Sequence, residues 1–296
     1  MHFISLIVSK RTKGNSDMLG RLAINEAMAN GAGGQHHWQG ELAYLKDYRI
    51  EECEGCLRCV FKNEPCHLSD DTYKLFDKIA TADALFLVSP TYVLGVPGNL
   101  KLAIDKYLLI PKYYNKIYGR PAISVGIGGL ANWNHFELPM LNLFLLGLGF
   151  RVIDSFYVRG AGPGEVLLNA EPILRLKKGI QNIMNWQVKP FEAQISAHCP
   201  VCFSTIFERI GDNRYRCPVC IVECEARDVE NPVENSAASG KVSGKGFYFP
   251  AETLNNHRWT PKNVEDHFTN WILKTKDRFK KNITEIQKQK RKLGLE

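Results

Sequence analysis

The chain has 296 residues, which at roughly 150 residues per domain predict about two folded units. A composition that is 45% hydrophobic and 10% aromatic supplies a buried core and excludes a disordered chain or a minimal disulfide scaffold. The longest apolar run, 138–150, is shorter than the roughly 20 residues of a membrane-spanning helix. Residues 1–8 lack a basic leader and a cleavage site, so we expect a first strand there and a cytoplasmic protein.

The net charge of +7 comes mostly from the C-terminal segment. Residues 260–296 contain ten basic and five acidic side chains, a balance of +5. Apolar residues from Val264 to Ile286 keep helical spacing after Thr260-Pro261, which predicts a long amphipathic, basic helix over 260–292. A solvated helix face is the ordinary explanation of such a charge run, and an acidic protein or another polyanion as partner is the alternative.

The elements that precede this segment alternate between strand and helix. Buried strands are predicted at 3–8, 41–45, 84–88, 121–125 and 152–158. Helices are predicted at 16–29, 71–82, 97–109, 136–146 and 171–186. Strands joined by helical crossovers are typical of a parallel sheet covered on both faces. We therefore predict an α/β domain over 1–190 with a doubly wound, five-stranded parallel sheet.

The loop after the first predicted strand leads directly into a helix. Its candidate binding residues are Ser9, Arg11, Gly14, Asn15 and Ser16. Hydroxyls, a guanidinium and the free amides of a helix N-terminus together favour a bound phosphate. An ordinary helix start capped by Asn15 or Ser16 is the alternative. The loop is neither a Walker loop nor a G-x-G-x-x-G motif, which argues against ATP or NAD as a tightly held ligand.

Two more loops of ligand-binding type follow the third and fourth predicted strands. The candidates are Pro90, Thr91, Tyr92, Val93, Leu94, Gly126, Gly128 and Gly129. Tyr92 offers an aromatic face, and the glycines allow the backbone to approach a ligand closely. Because loops at the carboxyl ends of parallel strands share one edge of the sheet, the three loops predict a common binding site.

These loops resemble those of the NADPH-dependent FMN reductase-like flavoproteins, a branch of the flavodoxin-like superfamily. Residues 9–16 are similar to the phosphate loop of that family, and residues 89–92, 100–101 and 104–105 to its second flavin loop. The resemblance covers about residues 1–190 and implies a flavodoxin-like fold, bound FMN and a homo-oligomer, either a dimer or a tetramer. It implies that the first loop holds the phosphate, and that residues 90–92 and 126–129 frame the isoalloxazine ring.

The nine cysteines form two groups with none between them. The first group is Cys53, Cys56, Cys59 and Cys66. Three thiols within seven residues and a fourth close behind suit a 4Fe-4S cluster, and zinc or free or disulfide-linked cysteines are the alternatives. This compact motif makes the chain similar to the iron-sulfur flavoproteins of the same superfamily, in which it carries a 4Fe-4S cluster although some relatives have none. His67 is interpreted as a neighbour of the cluster loop rather than a ligand.

The second group predicts a zinc ribbon over 196–226. Its ligands are Cys199, Cys202, Cys217 and Cys220, in two C-P-V-C knuckles joined by a hairpin that turns at 211–213. Four thiolates fill a tetrahedral site and leave no open position, so the zinc is expected to be structural. A rubredoxin-type iron site is the close alternative, although its knuckles generally end in glycine and these are followed by Phe203 and Ile221. Cys224 is interpreted as a bystander, and 227–259 as a linker that includes a flexible connector over 229–245.

The resulting hypothesis is an FMN- and 4Fe-4S-containing oxidoreductase without an obvious proton-donating side chain. The resemblance implies ferredoxin or NAD(P)H as electron donor and a quinone, an oxygen species or another carrier as acceptor. One alternative is a cluster-free NAD(P)H-dependent FMN or quinone reductase. An alternative of another class is a redox-sensing nucleic-acid-binding protein, which is disfavoured because the ribbon has no clear row of stacking aromatic residues.

Overall fold

The computed structural model describes residues 1–31, 37–235 and 240–295, with side chains described throughout except over 229–245. Its first sheet has five parallel strands in the order β2-β1-β3-β4-β5. The strands are β1 (His2–Ile7), β2 (Gln39–Tyr44), β3 (Ala84–Pro90), β4 (Pro121–Gly128) and β5 (Arg151–Arg159). This order is the flavodoxin-like one, so the predicted fold is confirmed.

Helices cover both faces of the first sheet. They are α1 (Asn15–Gly31), α2 (Arg58–Phe61), α3 (Thr72–Ala80), α4 (Gly98–Asp105), α5 (Pro111–Ile117), α6 (Glu137–Leu148) and α7 (Ala170–Met184). Helices α1 and α7 pack on one face, and α3 to α6 pack on the other. The predicted helix 97–109 ends at Asp105 and continues as a separate 3-10 turn, Tyr107–Leu109.

The central strands are apolar on both sides because both of their faces are buried. In β3, Leu85 and Leu87 belong to the core beneath α3 to α6, whereas Phe86 and Val88 belong to the core beneath α1 and α7. A strand buried on both faces reads in sequence as a continuous apolar run rather than as an alternation. This explains why the run 84–88 was recognisable as a strand.

A second, antiparallel sheet follows in the order β6-β10-β9-β8-β7. Its strands are β6 (Gln194–Ser196), β7 (Glu208–Arg209), β8 (Arg214–Arg216), β9 (Glu223–Asn235) and β10 (Gly240–Phe249). The predicted linker is therefore wrong over 227–235 and 240–249, where β9 and β10 pair, for instance Arg227 with Gly246. Residues 236–239 of that linker lie outside the described residues. Composition indicated a loop there, but the backbone hydrogen bonds of a ladder do not depend on side-chain type.

A buried polar network attaches the second sheet region to the first. Asn142 of α6 accepts a hydrogen bond from Ser124 Oγ of β4 at 2.6 Å. Its amide donates to Ser155 Oγ of β5 at 2.9 Å and to the carbonyl oxygen of Cys202 at 2.7 Å. Asn142 is fully buried, so each bond satisfies a group that has lost water. One side chain thus joins two strands of the flavodoxin-like sheet to a cysteine knuckle.

The C-terminal segment is helical but interrupted. After α8 (Ala251–Asn255) come α9 (Pro261–Asp266), a π-helical turn (His267–Ile272), α10 (Thr275–Lys281) and α11 (Ile283–Lys292). The predicted start is correct, because Thr260 caps α9 by accepting a hydrogen bond from the Asn263 amide. The single long helix is not formed, since the chain breaks at 273–274 and at Asn282. Of the helices in the described part of the chain, none has the length and apolarity needed to cross a bilayer.

Replacing the residue that joins the two sheets should destabilise the protein without removing an apolar contact. In Asn142→Leu, Ser124, Ser155 and the Cys202 carbonyl lose a partner, so we expect a loss of about 2–4 kcal/mol in the free energy of unfolding. Urea unfolding followed by far-UV circular dichroism measures it. The control is Asn182→Leu on the exposed face of α7, for which we expect a change within about 0.5 kcal/mol. Equal effects of the two variants would contradict the role of Asn142.

Candidate functional site

One cleft lies at the carboxyl edge of the parallel sheet, with a volume of about 320 Å³. It is lined by Ser9, Arg11, Gly14, Asn15, Ser16, Pro90, Thr91, Tyr92, Ile127, Gly128, Gly129, Gly160, Ala161 and Pro163. The structure thus brings together all the predicted loop residues except Val93, Leu94 and Gly126. It adds the loop that follows β5, which the sequence interpretation did not include.

The predicted residues that do not line the cleft have other structural positions. Val93 is 89% exposed and lies with Leu94 in a tight turn, closed by mutual backbone hydrogen bonds between Tyr92 and Gly95. Both turn residues have left-handed backbone angles, with φ of 47° and 70°. Gly126 is buried against Glu137, whose carboxyl carbon lies 2.9 Å from where a Cβ would stand. Gly126 therefore permits the packing of α6 behind the cleft.

The first loop is anchored from below by Asp17. Its carboxylate accepts hydrogen bonds from the Lys13 amide at 2.8 Å and from Tyr44 Oη of β2 at 2.7 Å. Arg21, one turn along α1, forms an ion pair with it at 3.1 Å. Although burial opposes the charged form, these bonds hold the pKa of Asp17 below its ordinary value. These bonds hold the first loop against the start of α1, and the exposed Arg11 in that loop lines the cleft.

Asn15 connects the first loop to the loop after β5. Its side-chain amide donates to the carbonyl oxygens of Gly160 and Gly162 at 3.1 and 3.0 Å, and its oxygen accepts from the Gly164 amide at 2.7 Å. These bonds occupy both donors and the acceptor of the side chain. The side chain therefore closes the rim of the cleft. The glycine- and proline-rich run 160–164 after a strand was the sequence signal for this fourth loop.

The floor of the cleft consists of backbone that has no room for side chains. A Cβ on Gly128 would collide with Tyr157 Oη of β5, and one on Gly129 would lie 2.8 Å from the Ala161 Cβ. A Cβ on Gly160 would lie 2.8 Å from Val166. Glycine at these positions therefore lets Tyr157, Ala161 and Val166 pack directly against the backbone that lines the cleft.

A buried acid that the sequence interpretation missed lies behind this floor. Glu137, the first residue of α6, is 0% exposed and hydrogen-bonded to the Thr91 hydroxyl, which lines the cleft. Burial raises the pKa of Glu137 well above its ordinary value, against the lowering effect of hydrogen bonds from Thr91, Ser89 and Ile127. Its position in an apolar helical pattern marked it as part of a helix, and only the packing shows that it contacts Thr91 behind the cleft.

The early cysteines share one loop between β2 and α3. Cys53 and Cys56 are exposed, and Cys59 and Cys66 are half-buried. Burial raises the pKa of the Cys59 thiol, and the nearby Cys66, Cys56 and Cys53 raise it further. A bound cationic centre would remove this mutual repulsion. His67 lies 3.9 Å from Cys56 Sγ and 3.1 Å from the Glu54 carboxylate, and the ligand atoms of these three residues all lie within 4.8 Å of one another, whereas the four early sulfurs do not converge in this way.

The base of this cysteine loop is tied by two aspartates. Asp70 accepts hydrogen bonds from the amides of Glu51 and Thr72, both at 3.0 Å, and pairs with the buried Lys106 at 3.1 Å. Asp71 and Arg49 exchange hydrogen bonds at 2.7 and 3.0 Å just outside it. The thiols therefore project from a closed loop rather than from an unrestrained one.

The cysteine loop opens on a different cavity from the cleft. Cys59 lines a space of about 480 Å³ together with Lys112, Phe268 and Leu273, so the C-terminal segment lies beside the loop. None of the cysteines lines the cleft at the sheet edge.

The late cysteines form a compact buried set. The Sγ atoms of Cys199, Cys202, Cys217 and Cys220 all lie within 4.8 Å of one another, and each residue is 0% exposed. Hydrogen bonds from the other three thiols lower the pKa of Cys217, whereas burial raises the pKa values of Cys202 and Cys220. Four converging, buried sulfurs match the ligand set of a single thiophilic metal ion.

The two knuckles have the same backbone geometry. Phe203 N donates to the Cys199 carbonyl and Ile221 N to the Cys217 carbonyl, both at 2.8 Å. Phe203 and Ile221 are left-handed, with φ of 57° and 56°. Phe203 and Ile221 therefore adopt a backbone conformation that usually favours glycine. Cys224 is buried outside the set, and burial raises its pKa to about 12.

The part of the chain that forms the cleft is similar to known proteins. The model of the NADPH-dependent FMN reductase family matches residues 1–162, which contain β1 to β5 and the loops of the cleft. The chain belongs to this family. As a member of the NADPH-dependent FMN reductase family, it is grouped with FMN-dependent oxidoreductases, so the predicted class is confirmed at the level of the family.

Individual relatives of this FMN reductase family member carry a more specific description. Two proteins of Archaeoglobus fulgidus, each described as an iron-sulfur flavoprotein, are 33% identical over 111 residues and 28% identical over 174 residues. These matches cover 38% and 56% of this chain and 54% and 72% of the relatives. The chain therefore spans about half the length of the first of them.

A solved structure is similar over nearly the whole chain. It is described as a flavone reductase, has a TM-score of 0.66 and 18% sequence identity, and covers 97% of this chain and 93% of its own. At this identity the likeness shows the fold alone. It includes the second sheet as well as the flavodoxin-like one.

The glycine floor gives a direct test of the cleft. In Gly128→Ala, the new methyl group meets Tyr157 Oη, so we expect FMN affinity to fall at least about tenfold. Titration of FMN fluorescence measures the change, with circular dichroism to verify the fold. The matched control is Gly98→Ala at the start of α4, because Gly98 does not line the cleft and a Cβ there would have no neighbour within 4 Å among the described residues. A Gly128 variant that binds FMN as tightly as the control would contradict the assignment of the cleft.

Proposed function

We propose that the chain is an FMN-dependent oxidoreductase that binds the coenzyme in the cleft at the sheet edge. The observation that carries this proposal is the meeting of an anion-binding loop with a glycine floor in one cleft of a chain that belongs to the FMN reductase family. Arg11, Ser9 and Ser16 hold the phosphate with the amides at the start of α1. FMN, when bound, supplies chemistry in which a pair of electrons is accepted and released singly or together.

The remaining loops frame the ring of the coenzyme. Pro90, Thr91 and Tyr92, together with the backbone of Gly128 and Gly129, line the space that the ring would occupy. Asn15 acts indirectly, because its side chain holds the loop 160–164 against the phosphate loop. Arg11 supplies a cation that balances the phosphate.

We propose that Cys53, Cys56, Cys59 and Cys66 ligate a 4Fe-4S cluster. Four thiolates on a loop closed by Asp70 and Asp71 suit this role, because thiolate is the ligand of iron-sulfur clusters. The similarity to iron-sulfur flavoproteins supports the proposal. A cluster would supply one-electron transfer, either to the cleft of the same chain or across a subunit contact in a homo-oligomer.

We propose that Cys199, Cys202, Cys217 and Cys220 hold a structural zinc ion in the module 196–226. The set is closed to solvent and leaves no position for a substrate. The direct bond from Asn142 to the Cys202 carbonyl makes the metal site part of the interface with the flavodoxin-like sheet. A rubredoxin-type iron would satisfy the same ligands, and metal analysis distinguishes the two.

The proposed electron path begins at NAD(P)H or a protein carrier such as ferredoxin and ends at a quinone, an oxygen species or another carrier, in the cytoplasm. Nucleic acid is not proposed as a partner. On the cysteine module, Arg214 and Arg216 pair with Glu223 and Glu208 at 2.5 and 2.9 Å, so their charges are already balanced by carboxylates.

A cluster-free NAD(P)H-dependent FMN or quinone reductase is the second candidate. It is favoured by the exposure of Cys53 and Cys56 and by the separation of the cysteine loop from the cleft. An optical spectrum with iron and acid-labile sulfide analysis of anaerobically purified protein distinguishes the candidates. Flavin bands together with iron and sulfide support the cluster, and flavin bands alone support the second candidate.

The cluster proposal predicts that one thiol is required for iron but not for FMN. Cys56→Ser removes a ligand on the exposed side of the loop, so we expect iron and sulfide to fall to background while FMN stays at about one per chain. The measurement is metal, sulfide and flavin analysis after anaerobic purification. Cys224→Ser is the matched control, since Cys224 belongs to neither set. Iron retained in full by Cys56→Ser would refute the assignment.

The zinc proposal predicts a loss of stability when its site is opened. Cys217→Ser leaves three buried sulfurs with a weaker fourth ligand, so we expect zinc loss and destabilisation on the order of 5 kcal/mol. Plasma emission spectrometry gives the metal content, and thermal unfolding followed by circular dichroism gives the stability. Full stability without zinc would show that the metal is not structural.

A further inference from the structure

A buried carboxyl group lies directly behind the proposed FMN cleft. Glu137 begins α6 and is 0% exposed, and its carboxyl carbon lies 2.9 Å from where a Cβ of Gly126 would stand. It is hydrogen-bonded to the Thr91 hydroxyl, and Thr91 lines the cleft. The Thr91 Oγ1 atom also stands 3.1 Å from the Cβ position of Gly128, in the floor. One hydroxyl therefore separates the acid from the ligand space.

The surroundings of Glu137 favour the neutral acid. Hydrogen bonds from Thr91, Ser89 and the Ile127 amide favour its carboxylate form, but burial outweighs them and no lysine or arginine among the described residues pairs with it. The start of α6 favours a negative charge, but this effect is weak against the cost of burying an unpaired carboxylate. Tyr157 of β5 is the titratable neighbour that it influences, and Arg159 acts on Tyr157 in the opposite sense.

The protonation of the acid decides what Thr91 offers to the cleft. A carboxylate only accepts hydrogen bonds, so the single Thr91 proton would point away from the ligand towards Glu137. A neutral carboxylic acid donates its own proton to Thr91 Oγ1 instead. The Thr91 proton is then released from Glu137, and Tyr157 Oη, which also hydrogen-bonds with Thr91, competes for it with an acceptor atom in the cleft.

We propose that Glu137 is a positioning residue of the coenzyme cleft, which acts as a neutral acid that donates to Thr91 so that the Thr91 hydroxyl donates to an acceptor atom of FMN. This inference rests on the proposed binding of FMN in the cleft. It assigns a function to an acid that the binding loops do not contain.

The test compares variants that keep or remove a donor at this position. Glu137→Gln retains an N–H group able to donate to Thr91, and Glu137→Leu removes it with a similar volume. We expect the dissociation constant of FMN from Glu137→Gln to stay within threefold of the wild-type value, and that from Glu137→Leu to be about tenfold larger. Fluorescence titration of the apoprotein with FMN gives these constants. The control is Asn142→Leu, which replaces another buried polar residue of α6. Asn142 bonds to the Cys202 carbonyl in the module 196–226, so this variant should bind FMN as the wild type does.

A double-mutant cycle distinguishes positioning from a structural effect. Thr91→Val removes the hydroxyl, and we expect a loss of about tenfold that does not increase in Glu137→Leu/Thr91→Val. Multiplication of the two losses would overturn the proposal, because Glu137 would then act independently of Thr91. If Glu137→Leu does not fold, the comparison of Thr91→Val with Glu137→Gln and the infrared measurement below retain the test.

Infrared spectroscopy reports the protonation state without any activity measurement. The wild-type holoprotein at neutral pH should show a carboxylic acid C=O band that is missing from Glu137→Gln. Absence of that band would overturn the proposal even if FMN binds. Failure of the wild-type protein to bind FMN would instead overturn the proposed function and the inference together, so the two failures are distinguishable.

Discussion

The parallel arrangement of β1 to β5 is the constraint on which the candidate site depends. Each parallel strand must be followed by a crossover, so every loop after a strand leaves from the same edge of the sheet. Residues distant in sequence therefore meet there, and Asn15 joins the first loop to the last by hydrogen bonds to residues 160–164. The cleft owes its shape to this side chain, to the anchor at Asp17 and to glycines that leave backbone exposed.

Buried polar groups fix how neighbouring elements are arranged, because hydrophobic packing alone would allow several arrangements. Asn142 links β4 and β5 to the carbonyl of Cys202, and Lys106 pairs with Asp70 at the base of the early cysteine loop. Glu137 occupies a comparable buried position behind the cleft. Each such group is costly unless partnered, so each specifies one arrangement of neighbouring elements.

The two cysteine groups differ in how far their sulfur atoms are buried. The late group is fully buried and its sulfurs converge within 4.8 Å, so a small metal ion would complete the core of the module. The early group lies on an anchored but partly exposed loop, beside a cavity that the C-terminal segment also lines. Burial and closure suit a structural role, whereas exposure suits exchange of electrons with a partner. The same residue type thus supports two proposed functions.

Local pattern by itself determined the parallel strands β1 to β5, most of the helices that cover them, and the resemblance to the family, because hydrophobic periodicity and loop motifs depend on neighbours in sequence. It also identified both cysteine groups from spacing. Only the tertiary structure decided that β9 and β10 pair where a linker was expected, that Gly126 packs against α6, and that Cys59 lines a cavity other than the cleft. It alone revealed that Glu137 is buried behind the cleft, because the sequence of an apolar helix does not show which strand its one acidic residue will pack against. These features depend on contacts between distant segments, which spacing along the chain does not encode.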